Sequence, residues 1–228
     1  MRANSKELDP RDMPAYTVPE AAHYLNLPES TVRWWSVGRD QYPSLIEPAS
    51  IEGRTILFSF YDLIELHVLS VIRREHKLKM AKVRNAIDFL KKRLHTKRHP
   101  LISHQMQTDG ANLFIERLGG LINISQDGQR AMREVLEAAL RRIERDDAGL
   151  PIKLYPYTRS SMQGAPALVV IDPRISGGRP VLSGTGVATE IIAERYKAGE
   201  SVEELALDYG RTEEEIEEAI RCELQAAA

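Results

Sequence analysis

The chain opens with short helical patterns separated by breakers. Thr17-Val18-Pro19-Glu20 reads as a capping box, Thr17 capping and Glu20 reaching back three residues. Pro19 is tolerated there because the first helical positions need no amide partner. A first helix is expected over about 18–25, with Ala21, Ala22 and Leu25 inward, broken by Asn26-Leu27-Pro28. A second begins at Glu29 or Ser30 and runs to Val37, where Gly38 stops it. After Ser44-Leu45-Ile46-Glu47-Pro48, Ile51 to Phe58 is extended in character with Gly53 near a bend, which predicts a two-stranded hairpin, or wing, with Arg54 at its tip. Ser59 then caps a third helix with Asp62 at its third position, and Leu63, Leu66, Val68 and Ile72 supply apolar spacing. A fourth helix is expected from Lys79 to Leu94. Its apolar positions are Met80, Val83, Ile87, Leu90 and Leu94, and its other face is basic: Lys79, Lys82, Arg84, Lys91, Lys92 and Arg93.

From residue 101 the pattern changes. Thr108-Asp109-Gly110 is a turn signal, and short apolar runs at Leu113-Phe114-Ile115 and 121–124 flank Gly119-Gly120, which predicts a small hairpin or three-stranded sheet. A strongly amphipathic helix is expected over about 127–146, with Met132, Val135, Leu136, Ala139, Leu140 and Ile143 on one stripe. A strand should follow from Leu150 to Tyr157, then a linker over Ser160 to Pro166. Leu168 to Ile171 is a short strand, and the glycines and prolines of 173–186 demand special backbone angles. Three helices close the chain at about 189–198, 202–209 and 213–224, the last two opened by capping boxes at Ser201…Glu204 and Thr212…Glu215. The fold class is therefore mainly α with small β. Its expected parts are a loose arm at 1–15, a winged helix-turn-helix unit at 16–94, a connecting or dimerising segment at 95–158, a linker at 159–167 and a small helical domain at 168–228.

Composition narrows the function. Hydrophobic residues make up 43% of the 228, enough to fill cores, so a wholly disordered chain is excluded. The single cysteine, Cys222, forms no internal disulfide framework and reads as a small apolar helix residue. No apolar run approaches membrane-spanning length and the N-terminus lacks a signal-peptide core, so a soluble cytoplasmic protein is expected. The net charge of −2 hides a gradient. Residues 1–100 hold 17 basic against 12 acidic side chains, a net of +5, and residues 167–228 hold 6 against 13, a net of −7. The basic end suits nucleic acid and the acidic end suits a basic protein partner.

Two short helices joined by a tight turn make the outline of a helix-turn-helix, whose second helix enters the major groove. Ser30, Thr31, Arg33 and Trp34 are its expected outward positions; Arg33 and Arg39 can meet phosphate or guanine, and Arg54 at the wing tip the backbone or minor groove. At least one of the Trp34-Trp35 pair should be structural. Catalysis has little support. No histidine pair lies at ligand spacing on a predicted helix, and His95-x-x-x-His99 falls in a basic loop ended by Pro100. No metal or cofactor is expected.

Tyr16-Thr-Val-Pro-Glu-Ala-Ala-His-Tyr-Leu-Asn-Leu-Pro-Glu-Ser-Thr-Val-Arg-Trp-Trp35 resembles the opening of MerR-type winged helix-turn-helix domains, and Phe58 to Leu66 with Lys77 to Ala86 resemble their later part. The resemblance implies DNA binding as a dimer, with Thr31, Arg33 and Trp34 facing DNA. The full candidate DNA-facing set is Tyr16, Ser30, Thr31, Arg33, Trp34, Arg39 and Arg54. Val170-Ile-Asp-Pro-Arg-Ile-Ser-Gly-Gly-Arg-Pro-Val-Leu-Ser-Gly-Thr185 with Ala198 to Tyr209 is similar to the bacterial domain of unknown function four-three-three, although Gly186-Val187-Ala188 departs from the Arg-Ile-Pro frequent after its Gly-Thr. Joined to the MerR-like start, the chain looks like the large VapB-type antitoxins. That implies an antitoxin and autorepressor, with operator DNA and a PIN-like ribonuclease toxin as partners. Asp172, Arg174, Gly177, Gly178, Arg179, Pro180 and Thr185 are the candidate toxin-facing residues. In one reading of this loop Arg179 pairs with the toxin's metal-binding acids; in the other Asp172 and the glycines only shape a turn, with Arg174 or Arg179 bridged internally. The alternatives for the whole chain are a stand-alone MerR-like regulator with a C-terminal oligomerisation domain, and an interaction scaffold that binds no DNA.

Overall fold

The computed structural model describes residues 9–39, 42–76, 80–96, 98–103, 105–122, 125–159 and 164–224. The start of the arm, Lys79, and Ser160 to Gln163 of the expected linker lie outside them. The fold is mainly α with small antiparallel sheets.

Strand β1 (Tyr16–Thr17) leads into helix α1 (Val18–Tyr24), and the capping box forms as the sequence predicts: Thr17 N–H donates to Glu20 Oε2 at 2.8 Å while Glu20 N–H donates to Thr17 Oγ1. A turn at Asn26, in left-handed backbone, delivers α2 (Glu29–Val37). The hairpin is β2 (Ser50–Glu52) with β3 (Thr55–Phe58), and β1 adds to the far side of β3 with Tyr16 opposite Phe58. Helix α3 (Phe60–His76) is buried at every position from Ser59 to Ile72, well beyond the single stripe its spacing suggested. Its polar side chains have partners. Asp62 Oδ2 accepts the Ser59 N–H at 2.8 Å, Glu65 Oε1 accepts the Leu101 N–H at 3.0 Å, and His99 Nδ1 stands 3.3 Å from Glu65 Oε2. His99 thus pins its loop to α3. Helix α4 (Met80–Arg93) follows with Val83, Ala86, Ile87 and Leu90 buried.

The hairpin or three-stranded sheet expected over 101–124 does not form among the described residues. A π turn (Met106–Gly110) runs into helix α5 (Ala111–Ile122), which buries Ala111, Phe114, Ile115 and Leu118. Those positions are spaced at three and four, a helical stripe that the Gly119-Gly120 pair disguised as a turn. Gly119 lies where α5 meets the next helix: a Cβ there would stand 2.7 Å from the Gln129 side chain. Helix α6 (Gln126–Arg141) is also shorter than its pattern. Residues Ile143–Arg145 become strand β4, paired with β5 (Pro151–Leu154) across a turn in which Asp146 Oδ1 accepts the N–H groups of Ala148 and Leu150. The strand expected to reach Tyr157 ends at Leu154, which bridges Ile171 through reciprocal backbone bonds of 3.0 and 2.8 Å.

The C-terminal unit consists of β6 (Val169–Val170), β7 (Val181–Leu182), α7 (Thr189–Lys197), α8 (Val202–Tyr209) and α9 (Glu213–Leu224), close to the expected bounds. Both capping boxes form. One hydrophobic core runs without a break from Tyr16 to Ile171; a smaller one joins Leu182, Ile192, Leu205, Ala206, Ile216, Ala219 and Ile220.

His67 of α3 is buried, stacked on Tyr157 at 5.6 Å, and bonded to the Ala139 backbone. Burial pushes its pKa down to about 3. The unfolded chain binds that proton near pH 6.5, so the neutral ring stabilises the fold above that pH and the contribution is lost as pH falls toward 3. Replacing His67 by Phe keeps an aromatic ring against Tyr157 and removes the titration. Urea unfolding midpoints at pH 7.5 and pH 5 should converge in His67→Phe relative to the wild type. An equal drop in both proteins would refute the assignment.

Candidate nucleic-acid interface

Helix α2 meets the core through Val32, Trp35 and Ser36 and leaves Ser30, Arg33 and Trp34 exposed. Trp35 is the structural member of the tryptophan pair: it is buried, and its carbonyl accepts the N–H groups of Leu45 and Ile46. Trp34 remains 45% exposed, and the Arg39 guanidinium lies 4.7 Å above its ring. Gly38 makes this possible. Its φ is +78°, and a Cβ would meet the Tyr42 carbonyl oxygen at 2.5 Å. The turn beyond it closes with two backbone bonds of 2.9 Å exchanged by Arg39 and Tyr42. Arg54 is exposed beside Gly53 at the tip of the β2–β3 hairpin.

Two of the expected DNA-facing residues are placed otherwise. Thr31 is buried, and its Oγ1 accepts from Arg73 Nη1 at 2.7 Å. Tyr16 is buried in the sheet, its hydroxyl pressed toward Gly178 of the C-terminal loop. Both belong to packing, because both are buried. Arg73 and Arg74 went unnoticed in the sequence. Arg73 lies 5.8 Å over Trp35, and Arg74 Nη2 donates to the Leu25 and Asn26 carbonyls at 2.7 and 2.9 Å. They fix the α1–α2 turn from the end of α3. The only signal was a pair of arginines closing an apolar helix, where cations meet free carbonyls.

The C-terminal loop is largely self-satisfied. Asp172 is buried and accepts from Arg174 through the backbone N–H at 2.9 Å, Nε at 3.0 Å and Nη2 at 2.9 Å. Burial raises the Asp172 carboxyl, but the Arg174 hydrogen bonds outweigh it and hold it below the usual range. Ser176, Gly177 and Gly178 follow one another in left-handed backbone. The Pro180 carbonyl accepts from Thr189, and Thr185 Oγ1 donates to the Leu182 carbonyl while accepting the Val187 N–H. These are turn-shaping roles. Arg179 differs: its 3.0 Å pair with Glu190 is exposed on both sides, so little free energy holds it there.

The loop and the two-helix head meet along a seam. His23 Nε2 of α1 stands 3.3 Å from Glu223 Oε2 of α9, and Thr189 also bonds Glu223. Burial pushes the Glu223 carboxyl up, and the His23 and Thr189 bonds outweigh it. A cleft of about 290 Å³ opens there between Tyr24 and Glu20 on one side and Arg179 and Glu190 on the other. Farther along α9, buried Glu218 accepts from Thr158, from Arg159 at 2.7 and 3.0 Å, and from Arg221. Among the described residues no cluster of His, Cys, Asp or Glu suits a metal, and no helix is long and apolar enough to cross a membrane.

A two-helix head with a hairpin, an enclosed third helix and a glycine-looped helical unit docked on the head together define the class of protein. Residues 169–221 match the family described as Protein of unknown function (DUF433). Over 246 aligned residues the chain is 30% identical to the Mycobacterium tuberculosis protein named "Putative antitoxin VapB45", covering 96% of this chain and 98% of that one. The chain belongs to the VapB45 family. It is also 26% identical to the uncharacterized protein Rv2308 of the same organism, covering 96% of this chain and 94% of that one. The crystal structure of Rv2018 from Mycobacterium tuberculosis has a similar fold, with a TM-score of 0.70 and 26% identity over 92% of this chain and 98% of that one.

The close approach at Tyr16 yields a double-mutant test. A Cβ at Gly178 would stand 2.4 Å from the Tyr16 hydroxyl, and its φ of +82° disfavours any side chain. That hydroxyl is buried with no hydrogen-bond partner among the described residues, so Tyr16→Phe alone should be neutral or slightly stabilising. Gly178→Ala should cost about 1–3 kcal/mol, and adding Tyr16→Phe should recover a measurable part of it. Strictly additive unfolding free energies would contradict this contact.

Proposed function

We propose that the chain is the antitoxin of a type II toxin–antitoxin pair. In this reading it binds a PIN-like ribonuclease toxin and, as a homodimer, represses its own operon by binding operator DNA. The observation that carries the reading is the end-to-end likeness to VapB45, a protein named as an antitoxin.

Residues 16–94 form a MerR-like winged helix-turn-helix unit in this reading. The exposed face of α2 supports it, since Ser30, Arg33 and Trp34 all point away from the core and Arg54 extends the same chemistry from the hairpin. Two copies would present their α2 helices about 34 Å apart, one turn of duplex. Residues 95–158 support pairing of the copies, and 168–228 bear on the toxin. Of the loop arginines, Arg179 is the one available to a carboxylate-rich partner, because leaving Glu190 costs little while Arg174 is held by a buried carboxylate.

Gel shifts with the duplex upstream of the gene test the DNA half. Arg33→Ala and Arg54→Ala should each weaken binding by about 1–3 kcal/mol at moderate salt without changing the thermal midpoint. Retained affinity in both would remove those residues from the interface. Co-expression with the product of the neighbouring gene tests the toxin half. The two proteins should co-purify and the nuclease should be silent, and Arg179→Ala should weaken the pair while Arg174→Ala chiefly lowers stability. Failure of the two to associate would overturn the antitoxin reading.

A further inference from the structure

The basic face of α4 has no part in the function proposed above, yet its Arg84 reaches the head. Arg84 Nε donates to the Pro43 carbonyl at 2.9 Å, and the guanidinium lies 5.6 Å above the Tyr42 ring. The geometry points to Arg84 and Tyr42 as a clamp for the phosphate backbone of duplex DNA, on the turn that follows α2. The inference rests on the DNA-binding reading and extends its surface beyond the helix and the hairpin.

Four observations carry it. The first is continuity. Trp34 on α2 bears the Arg39 guanidinium, Arg39 exchanges two backbone bonds with Tyr42, and Tyr42 bears the Arg84 guanidinium. Two stacked cation–aromatic pairs therefore stand side by side, with both rings nearly half exposed. The second is preorganisation. Arg84 is held by its Nε and by the ring beneath it, so a ligand need not immobilise a free side chain. The third is vacancy of the right atoms. Only Nε of Arg84 is engaged, which leaves its two Nη nitrogens without a protein hydrogen-bond partner among the described residues; its acidic neighbour is Asp88, one turn along the same helix. That is the donor pair a phosphate accepts from bidentately. The fourth is contrast. Lys91 lies on the same face two turns on and is 3.7 Å from Glu47, while Arg73 and Arg74 are bonded to Thr31 and to carbonyls. Those cations serve the fold. Arg84 has donors left over, and the Tyr42 hydroxyl, which has no hydrogen-bond partner among the described residues, can donate to a neighbouring phosphate.

A phosphate contact is blind to sequence and sensitive to salt. Binding should be measured by fluorescence anisotropy across a salt series, with the duplex from upstream of the gene and with a random duplex of equal length. For Arg84→Ala, the slope of log affinity against log salt should fall by about 1 per protomer, and both duplexes should be weakened alike. Arg84→Lys should restore the slope, because it returns the charge without the bond to Pro43. An unchanged slope in Arg84→Ala overturns the inference. So does a loss that Arg84→Lys fails to rescue, since that would mark a residue that merely positions the turn. A wild-type protein that binds neither duplex overturns the DNA-binding reading and this inference with it, whereas wild-type binding with an indifferent Arg84 overturns the inference alone.

Discussion

A helix enclosed on every side is the constraint from which the rest of this structure follows. Residues 59–72 expose almost nothing, so the polar side chains on α3 are met within the protein, several of them by groups brought from elsewhere in the chain. Asp62 is met by its own cap at Ser59, Glu65 by the Leu101 amide and His99, and His67 by Tyr157 and the Ala139 backbone. Leu101 and His99 precede α5, Ala139 lies in α6 and Tyr157 follows it. The middle of the chain therefore cannot be a loose connector, because it completes the hydrogen bonding of a helix that also carries the head. Arg73 and Arg74, at the end of the same helix, hold Thr31 and the α1–α2 turn. The orientation of α2 thus depends on the burial of α3.

The elements that sequence predicted best are those whose ends are written locally. The capping boxes at Thr17, Ser201 and Thr212 all form, because cap and partner lie three residues apart and need nothing from the tertiary fold. What failed depends on distant contacts. Gly119-Gly120 resembles a turn until α6 is placed against it, when the first glycine becomes the small residue that lets Gln129 approach. The end of α6 was extended too far because Ile143 continues the apolar stripe while pairing as a strand with Leu154. In the candidate site, exposure followed helical phase for Ser30, Arg33 and Trp34. Thr31 was misjudged because Arg73, 42 residues away, takes its hydroxyl. Tyr16 was misjudged because Gly178 fits its ring only after the C-terminal unit docks.

That docking joins apolar contact and the backbone bridge at Ile171 to hydrogen bonds made by buried carboxylates. Glu223 ties α9 to α1 through His23, and Glu218 ties it to Thr158 and Arg159. The smaller core of the C-terminal unit stands apart from the main one. An interface of this kind is directional, since hydrogen-bonded charges fix register where apolar surfaces slide. The helix it grips is α1, directly before the turn to α2. A partner that displaced α9 or the 176–186 loop would therefore act on the part of the head that orients the exposed arginines.

The charge gradient takes a different meaning in this light. The excess of basic residues in the first hundred overstates what faces outward, because Arg11, Arg73 and Arg74 are bonded within the chain and Lys91 is paired with Glu47. The acidic excess at the other end is likewise drawn down by Glu218 and Glu223 in the seam and by Glu200, Glu204 and Glu215 in ion pairs or caps. A count of charges thus predicts the sign of each end but not the strength of its field. The outward cations of the head include Arg33 and Arg54, with Arg39 and Arg84 stacked on the exposed rings of Trp34 and Tyr42. In the proposed DNA-binding role, such a surface would draw affinity from the placement of its cations as well as from their charge. A chain that is slightly acidic overall is consequently no poorer a candidate for DNA than a basic one, provided its few outward guanidiniums are held where phosphates pass.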